Sequence, residues 1–104
     1  MSGGPGYFVH VAESVEAYVL GIDALPEGKR RQVLDESLRE LSERADHFHE
    51  RYPVGHESYT FQYEYVLLEA GIIYSFCFIA DASQKEMGVI QVIYVDYETM
   101  PLSP

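Results

Sequence analysis

The sequence predicts an α+β domain of order β-α-α-β-β-β, and three observations carry that prediction. Residues 27–51 place apolar side chains at helical spacing among charged ones. Residues 59–97 hold three strand-like runs separated by short turn signals. A Gly/Pro-rich opening leads into an aromatic and β-branched run at 7–12. Two N-terminal helices packed on an antiparallel sheet satisfy all three.

The first run, Tyr7-Phe8-Val9-His10-Val11-Ala12, reads as a strand. Ser14 is placed to cap a following helix, with Glu16 in its first turn and Val15, Ala17, Tyr18, Val19 and Ile22 as its apolar positions. Leu25-Pro26 breaks the chain, and Pro26 suits a helix start because its missing N–H would be unpaired there. The second helix is expected over 27–51. Leu34, Leu38, Leu41, Ala45, Phe48 and Tyr52 form one stripe, widened by Val33, while the other faces are charged. The stripe is short for a coiled coil, so a helix lying on a sheet is favoured over a self-pairing one. Pro53 and Gly55 stop it.

In the first meander strand, Tyr59, Phe61, Tyr63, Tyr65 and Leu67 alternate with Thr60, Gln62 and Glu64. Glu69-Ala70-Gly71 is a turn. The second strand, 72–80, puts Tyr74, Phe76 and Phe78 opposite Ser75 and Cys77. The third, 89–97, is apolar on both faces, as a central or well-covered strand would be. One aromatic face must meet the helices. The other is expected to carry Thr60, Gln62, Glu64, Ser75 and His10. Residues 1–6 read as a flexible leader rather than a signal peptide, 7–98 as a single domain and 99–104 as a tail that leaves the sheet. Homodimerisation is open as well, because an open sheet leaves an edge strand to be covered or guarded.

Charge narrows the function. The chain has 104 residues, 17 acids and 7 bases, for a formal net charge of −10. After Pro53 the only base is Lys85. Nucleic-acid binding rests largely on Lys and Arg neutralising phosphates, so a nucleic-acid partner is disfavoured and a basic protein partner favoured. The lone cysteine, Cys77, makes no internal disulfide and reads as a small buried hydrophobe, so the cytoplasm is the default compartment. No apolar run approaches the length of a membrane helix.

No cofactor is expected, since Gly3-Gly4-Pro5-Gly6 precedes a strand and not a helix. His47, His49 and His56 lie close in sequence, but the first two point apart on a helix and do not assemble a zinc site. No metal is expected. Tyr52 and Tyr97, near element ends, are expected to be exposed. His10 is expected to be a buried, hydrogen-bonded histidine, with Glu64 as a partner if their strands adjoin.

The order and spacing of these pieces resemble the RelE/ParE family of bacterial toxins from toxin–antitoxin pairs. The resemblance lies in the opening strand, in Leu25-Pro26-Glu27-Gly28-Lys29-Arg30-Arg31-Gln32-Val33-Leu34, in the hairpin from Glu69 to Asp81 and in the apolar strand from Val89 to Val95. It covers roughly residues 7–97. It implies a toxin-like fold with an antitoxin partner. Messenger-cleaving members of the family carry Arg and Lys on the sheet and a Tyr or His late in the chain. Here Ile72-Ile73-Tyr74 stands where an Arg is usual, and Val95-Asp96-Tyr97-Glu98 where the family is basic. RNA cleavage needs cations for the developing charge and a general acid or base. Tyr94 and Tyr97 stand where the late aromatic would, with no cation beside them in sequence, so no catalytic residue carries over from the family; the candidates for other acid–base chemistry are His10, Glu64, His56 and Tyr97. The expected function is therefore protein binding with weak or no ribonuclease activity. The alternatives are a stand-alone acidic module that binds or inhibits a basic protein, and a small enzyme using His10 or His56 with Glu64.

Overall fold

The computed structural model describes residues 6–55 and 59–103. Strand β1 (Phe8–Val11) leads into helices α1 (Glu13–Leu20) and α2 (Glu27–Arg51). Strands β2 (Pro53–Val54), β3 (Thr60–Glu69), β4 (Ile72–Asp81) and β5 (Val89–Pro101) follow, with a 3-10 turn at Lys85–Met87 before β5. The five strands form one sheet in the order β1-β5-β4-β3-β2.

The α+β class and the two helices match the expectation, but the sheet is mixed and not antiparallel. The meander β3-β4-β5 is antiparallel, whereas β1 pairs with β5 in parallel, Phe8 opposite Val89 and Val11 opposite Val92. Short turns dictate antiparallel neighbours only where they join adjacent strands. Here α1 and α2 form the crossover, and a crossover of that length permits a parallel pair.

Both helices lie on one face. Val15 and Val19 of α1, and Val33, Leu34, Leu41 and Ala45 of α2, share a single core with Phe61, Tyr63, Leu67, Tyr74, Phe76, Phe78, Ala80, Ile90, Val92 and Val95. The span of α2 is the one expected. Of the expected stripe, Leu34, Leu41 and Ala45 are buried together with Val33, and Ser37 joins them; Leu38 and Phe48 are half-buried, and Tyr52 is exposed. Ser14 is not the cap of α1. Ala12 holds that position, without a side-chain hydrogen bond.

A kink in α2 falls at Arg44 (φ −131, ψ 24). Two residues earlier, the Ser42 carbonyl accepts the Tyr7 N–H at 2.9 Å and the Ser42 hydroxyl donates to the Tyr7 carbonyl at 2.8 Å. An outside donor on the helix ladder is a recognised cause of bending. Gly6 makes the approach possible, since a Cβ there would lie 2.3 Å from the Ser42 carbonyl oxygen.

The β3–β4 hairpin closes through Ala70 and Gly71, at φ 53 and 76. Positive φ at both central residues is what a two-residue type I′ turn requires. Strand β5 continues past Tyr97 through Thr99, Met100 and Pro101, and the Leu102 N–H donates to the Gly71 carbonyl at 2.9 Å, so the expected tail at 99–104 belongs in part to the sheet. Residues 1–5 of the expected leader lie outside the described residues. Among the described residues, no helix is long and apolar enough to cross a membrane.

Candidate protein-binding face

The helices cover one face of the sheet and leave the other open. Strand registers define that open face row by row. His10, Gln91, Asp81 and Thr60 form one row, followed by Tyr94, Ile79 and Gln62. Next come Asp96, Cys77 and Glu64, then Glu98, Ser75 and Val66, and last Met100, Ile73 and Leu68. Thr60, Gln62, Glu64, Ser75 and His10, expected on the second face, all lie there.

The rows sort by chemistry. Asp96, Glu64 and Glu98 form an acidic band in the middle. Beyond it, Val66 (58% exposed), Leu68 (54%), Met100 (60%) and half-buried Ile73 form an apolar band at the hairpin end. The five strands contain Glu64, Glu69, Asp81, Asp96 and Glu98 and not one Lys or Arg. Local acid–base behaviour registers the field. The Cys77 thiol is pushed up, first by burial and then by the Asp96 and Glu64 charges. The Tyr94 phenol is pushed up chiefly by Asp96, to which it donates a hydrogen bond at 3.2 Å. A thiol held in its neutral form this way is a poor nucleophile. Cys77 is half-buried, not buried as expected.

The seven bases are elsewhere: six on α2 and Lys85 in the 3-10 turn. Several are already committed. Arg30 donates to the Leu25 and Leu20 carbonyls at 2.7 and 2.9 Å, tying down the end of α1 and the turn after it. Arg31 pairs with Glu16 at 3.8 Å, Lys29 with Glu69 at 4.0 Å, and Arg44 with Glu40 at 3.4 Å.

Among the described residues, the proposed acid–base residues do not converge. His10 is exposed on β1, and two strands separate it from Glu64 on β3. Three strand spacings amount to about 14 Å, before the offset between their rows is added. No acid–base pair forms there, and the expectation of a buried His10 fails because β1 is an edge strand. Tyr97 is half-buried on the helix side, stacked on Phe76 (centroids 5.3 Å) and Tyr74 (6.0 Å) with Tyr18 edge-on (6.1 Å). It was expected to be exposed, but the long β5 puts it mid-strand. Glu64 is exposed, opposite Cys77. His56 lies outside the described residues.

One polar cluster was not legible in the sequence. Asp46 accepts the Tyr7 hydroxyl at 2.8 Å and pairs with Lys85 at 2.8 Å, and the Lys85 ammonium lies 3.5 Å from Nδ1 of His49. The Asp46 carboxyl is held down, first by the Lys85 hydrogen bond and then by that of Tyr7. Burial, followed by Asp46, pushes the Tyr7 phenol up to about 12. This is a base beside a histidine, as phosphate chemistry would want, but the carboxylate neutralises the base. The cluster clamps the start of β1 and the 3-10 turn onto α2. Among the described residues, no group of three His, Cys, Asp or Glu could hold a metal ion.

Comparison of the chain with family models, with curated proteins and with solved structures returns no match.

Proposed function

We propose that this chain is a protein-binding module that holds a basic partner on the open face of its sheet and has weak or no ribonuclease activity. One observation carries the reading: an uncovered face where exposed Val66, Leu68 and Met100 adjoin Asp96, Glu64 and Glu98, on strands without a single base. Exposed apolar patches rimmed by polar residues mark interaction sites, and the acidic band selects a cationic partner and repels phosphate. The resemblance in element order to the toxin half of toxin–antitoxin pairs gives the narrower form of the proposal, in which the partner is a basic antitoxin-like chain in the cytoplasm. The alternative form is a stand-alone module that binds or inhibits a basic protein.

Expression of the chain alone, scored for growth, translation and RNA integrity, separates these forms. Growth arrest with intact RNA, relieved by the product of an adjacent gene, supports the toxin-like form. Harmless expression together with a stoichiometric complex with a basic protein supports the stand-alone form. In either case, Leu68→Lys with Glu64→Lys should abolish the complex and leave the fold intact. Cleavage of RNA by the purified chain, lost on His49→Ala or Lys85→Ala, would overturn the proposal.

A further inference from the structure

Strand β1 covers only the first four residues of β5. Its pairing ends at Val11 opposite Val92, the Ala12 N–H makes a last bond to the Val92 carbonyl at 3.0 Å, and the chain then turns into α1. From Ile93 onward, among the described residues, β5 has a strand neighbour on one side only, β4. Along residues 93–101, alternate backbone groups therefore face outward as an open row of donors and acceptors, Pro101 contributing no donor, a ready template for another strand.

The open stretch begins at an irregularity. The β4–β5 register shifts there, with Ala80 opposite Val92 but Ile79 opposite Tyr94, which leaves Ile93 as the extra residue. Bulges of this kind re-aim side chains and raise local twist. Here the bulge lies beside a cleft of about 290 Å³ between α1 and β5, lined by Ser14, Val15, Tyr18, Ile93, Tyr94 and Asp96. Its walls are largely apolar, and Tyr18, Ile93 and Tyr94 are substantially exposed. The cleft is small beside the usual small-molecule site and is suited to a single large side chain.

Resting on the function proposed above, we propose that this edge and cleft take an extended segment of the partner. The segment pairs with β5 along residues 93–101, puts one aromatic or large aliphatic side chain into the cleft and sets a Lys or Arg against Asp96. Main-chain pairing supplies affinity in strand addition, and side-chain pockets supply specificity. Charge complementarity selects the occupant. Asp96 and Glu98 lie on the open edge, Glu13 and Glu16 are in the first turn of α1, and Arg31 of α2 is paired with Glu16. A second copy of this chain fits poorly, because antiparallel pairing of β5 with itself about its middle sets Asp96 and Glu98 against their own kind, and like charges directly opposite destabilise a strand pair.

The test is NMR titration of the full, isotope-labelled chain with a synthetic peptide of alternating lysine and valine bearing a central phenylalanine. Saturable shifts and slowed amide exchange over residues 93–101 are expected. Asp96→Lys and Ser14→Phe, the latter filling the cleft from an exposed helical position, should each weaken binding roughly tenfold or more. Leu68→Lys should leave this edge binding unchanged. Shifts confined to Val66, Leu68 and Ile73 would overturn the edge site and leave the open face standing. Concentration-dependent dimerisation through the same edge would overturn the choice of occupant. Absence of any saturable shift would overturn the edge site, while complex formation with the natural partner separately decides the function.

Discussion

The two faces of the sheet are built from the same strands and have opposite chemistry. On the helix side, Phe61, Tyr63, Phe76, Phe78, Ile90 and Val92 are buried against α1 and α2, and three cations of α2 are engaged within the chain, Arg30 by backbone carbonyls and Lys29 and Arg31 by carboxylates. On the open side, Val66, Leu68 and Met100 are left in water beside Asp96, Glu64 and Glu98, which form no ion pair among the described residues. Valine, leucine and isoleucine are strand formers on either face, so residue type alone does not separate them. The difference lies in whether a helix lies above, and it separates what the fold needs from what is available for a partner.

The sharpest way to break this division is a pair of truncations. Phe76 is 0% exposed and touches the rings of Tyr65, Phe78 and Tyr97. Phe76→Ala should cost about 3–5 kcal/mol, through lost transfer energy and the cavity left behind. Leu68→Ala, on the same sheet but the other face, should change stability by no more than about 0.5 kcal/mol. Urea unfolding of the two variants checks this. A large loss for Leu68→Ala would mean that the open face is structural.

A smaller effect is expected at Arg30. Its guanidinium satisfies two carbonyls, those of Leu20 and Leu25, where α1 ends and the turn before α2 begins. Arg30→Met keeps the apolar stem and removes both hydrogen bonds, for a loss of about 1–3 kcal/mol in thermal or urea unfolding. This assigns the basic start of α2 a structural task. An unchanged stability would free that segment for a binding role.

How much of this was legible in the sequence follows the range of the interactions. The span of α2, the Ala70-Gly71 turn and the inward and outward alternation of β3 and β4 depend on neighbours a few residues apart, and all were readable. The outward set Thr60, Gln62, Glu64 and Ser75 followed from that alternation. The parallel pairing of β1, the shortness of its cover on β5 and the bulge at Ile93 depend on how distant segments meet. The Tyr7–Asp46–Lys85 clamp joins residues 39 apart in the chain for each pair, and no local pattern signals it. The exposed band of Val66, Leu68, Ile73 and Met100 was hidden for another reason. Apolar residues on both faces of a strand suggest burial, and here the second face has no cover among the described residues.

Alkaline pH tests the helix side at the level of single groups. Burial, followed by the Glu40 charge, pushes the Tyr63 phenol up to about 12 from an ordinary value of 10.0. A group raised on folding contributes stability that is full below its unfolded value and is lost as pH climbs through the folded one. Stability should therefore fall between about pH 10 and 12, and Tyr63 should account for roughly 1 kcal/mol of the loss near pH 11. Tyr63→Phe should flatten this limb, and Tyr7→Phe should flatten it less, because Tyr7 is the more exposed. Chemical denaturation in steps of pH measures it. An alkaline limb unchanged in Tyr63→Phe would show that Tyr63 is not held neutral by its burial.

The smallest expected effect reads the open face directly. Burial is the first cause of the raised Cys77 thiol, and the Asp96 and Glu64 charges come after it. Asp96→Asn with Glu64→Gln removes the charges and leaves the burial, so the thiol should move only part of the way back toward its ordinary range. The thiolate is the reactive form, so the rate of reaction with a disulfide reagent near neutral pH should rise, by about two- to threefold. Salt should produce a similar rise in the unaltered protein, because exposed charges are screened within about 10 Å at ~0.1 M, and should have little effect in the double variant. That crossed dependence separates the acidic field from a mere change of packing around Cys77. If salt and the two substitutions leave the rate alone, the acidic band is too well solvated to project a field across its own row, and it could not select a cationic partner over a neutral one.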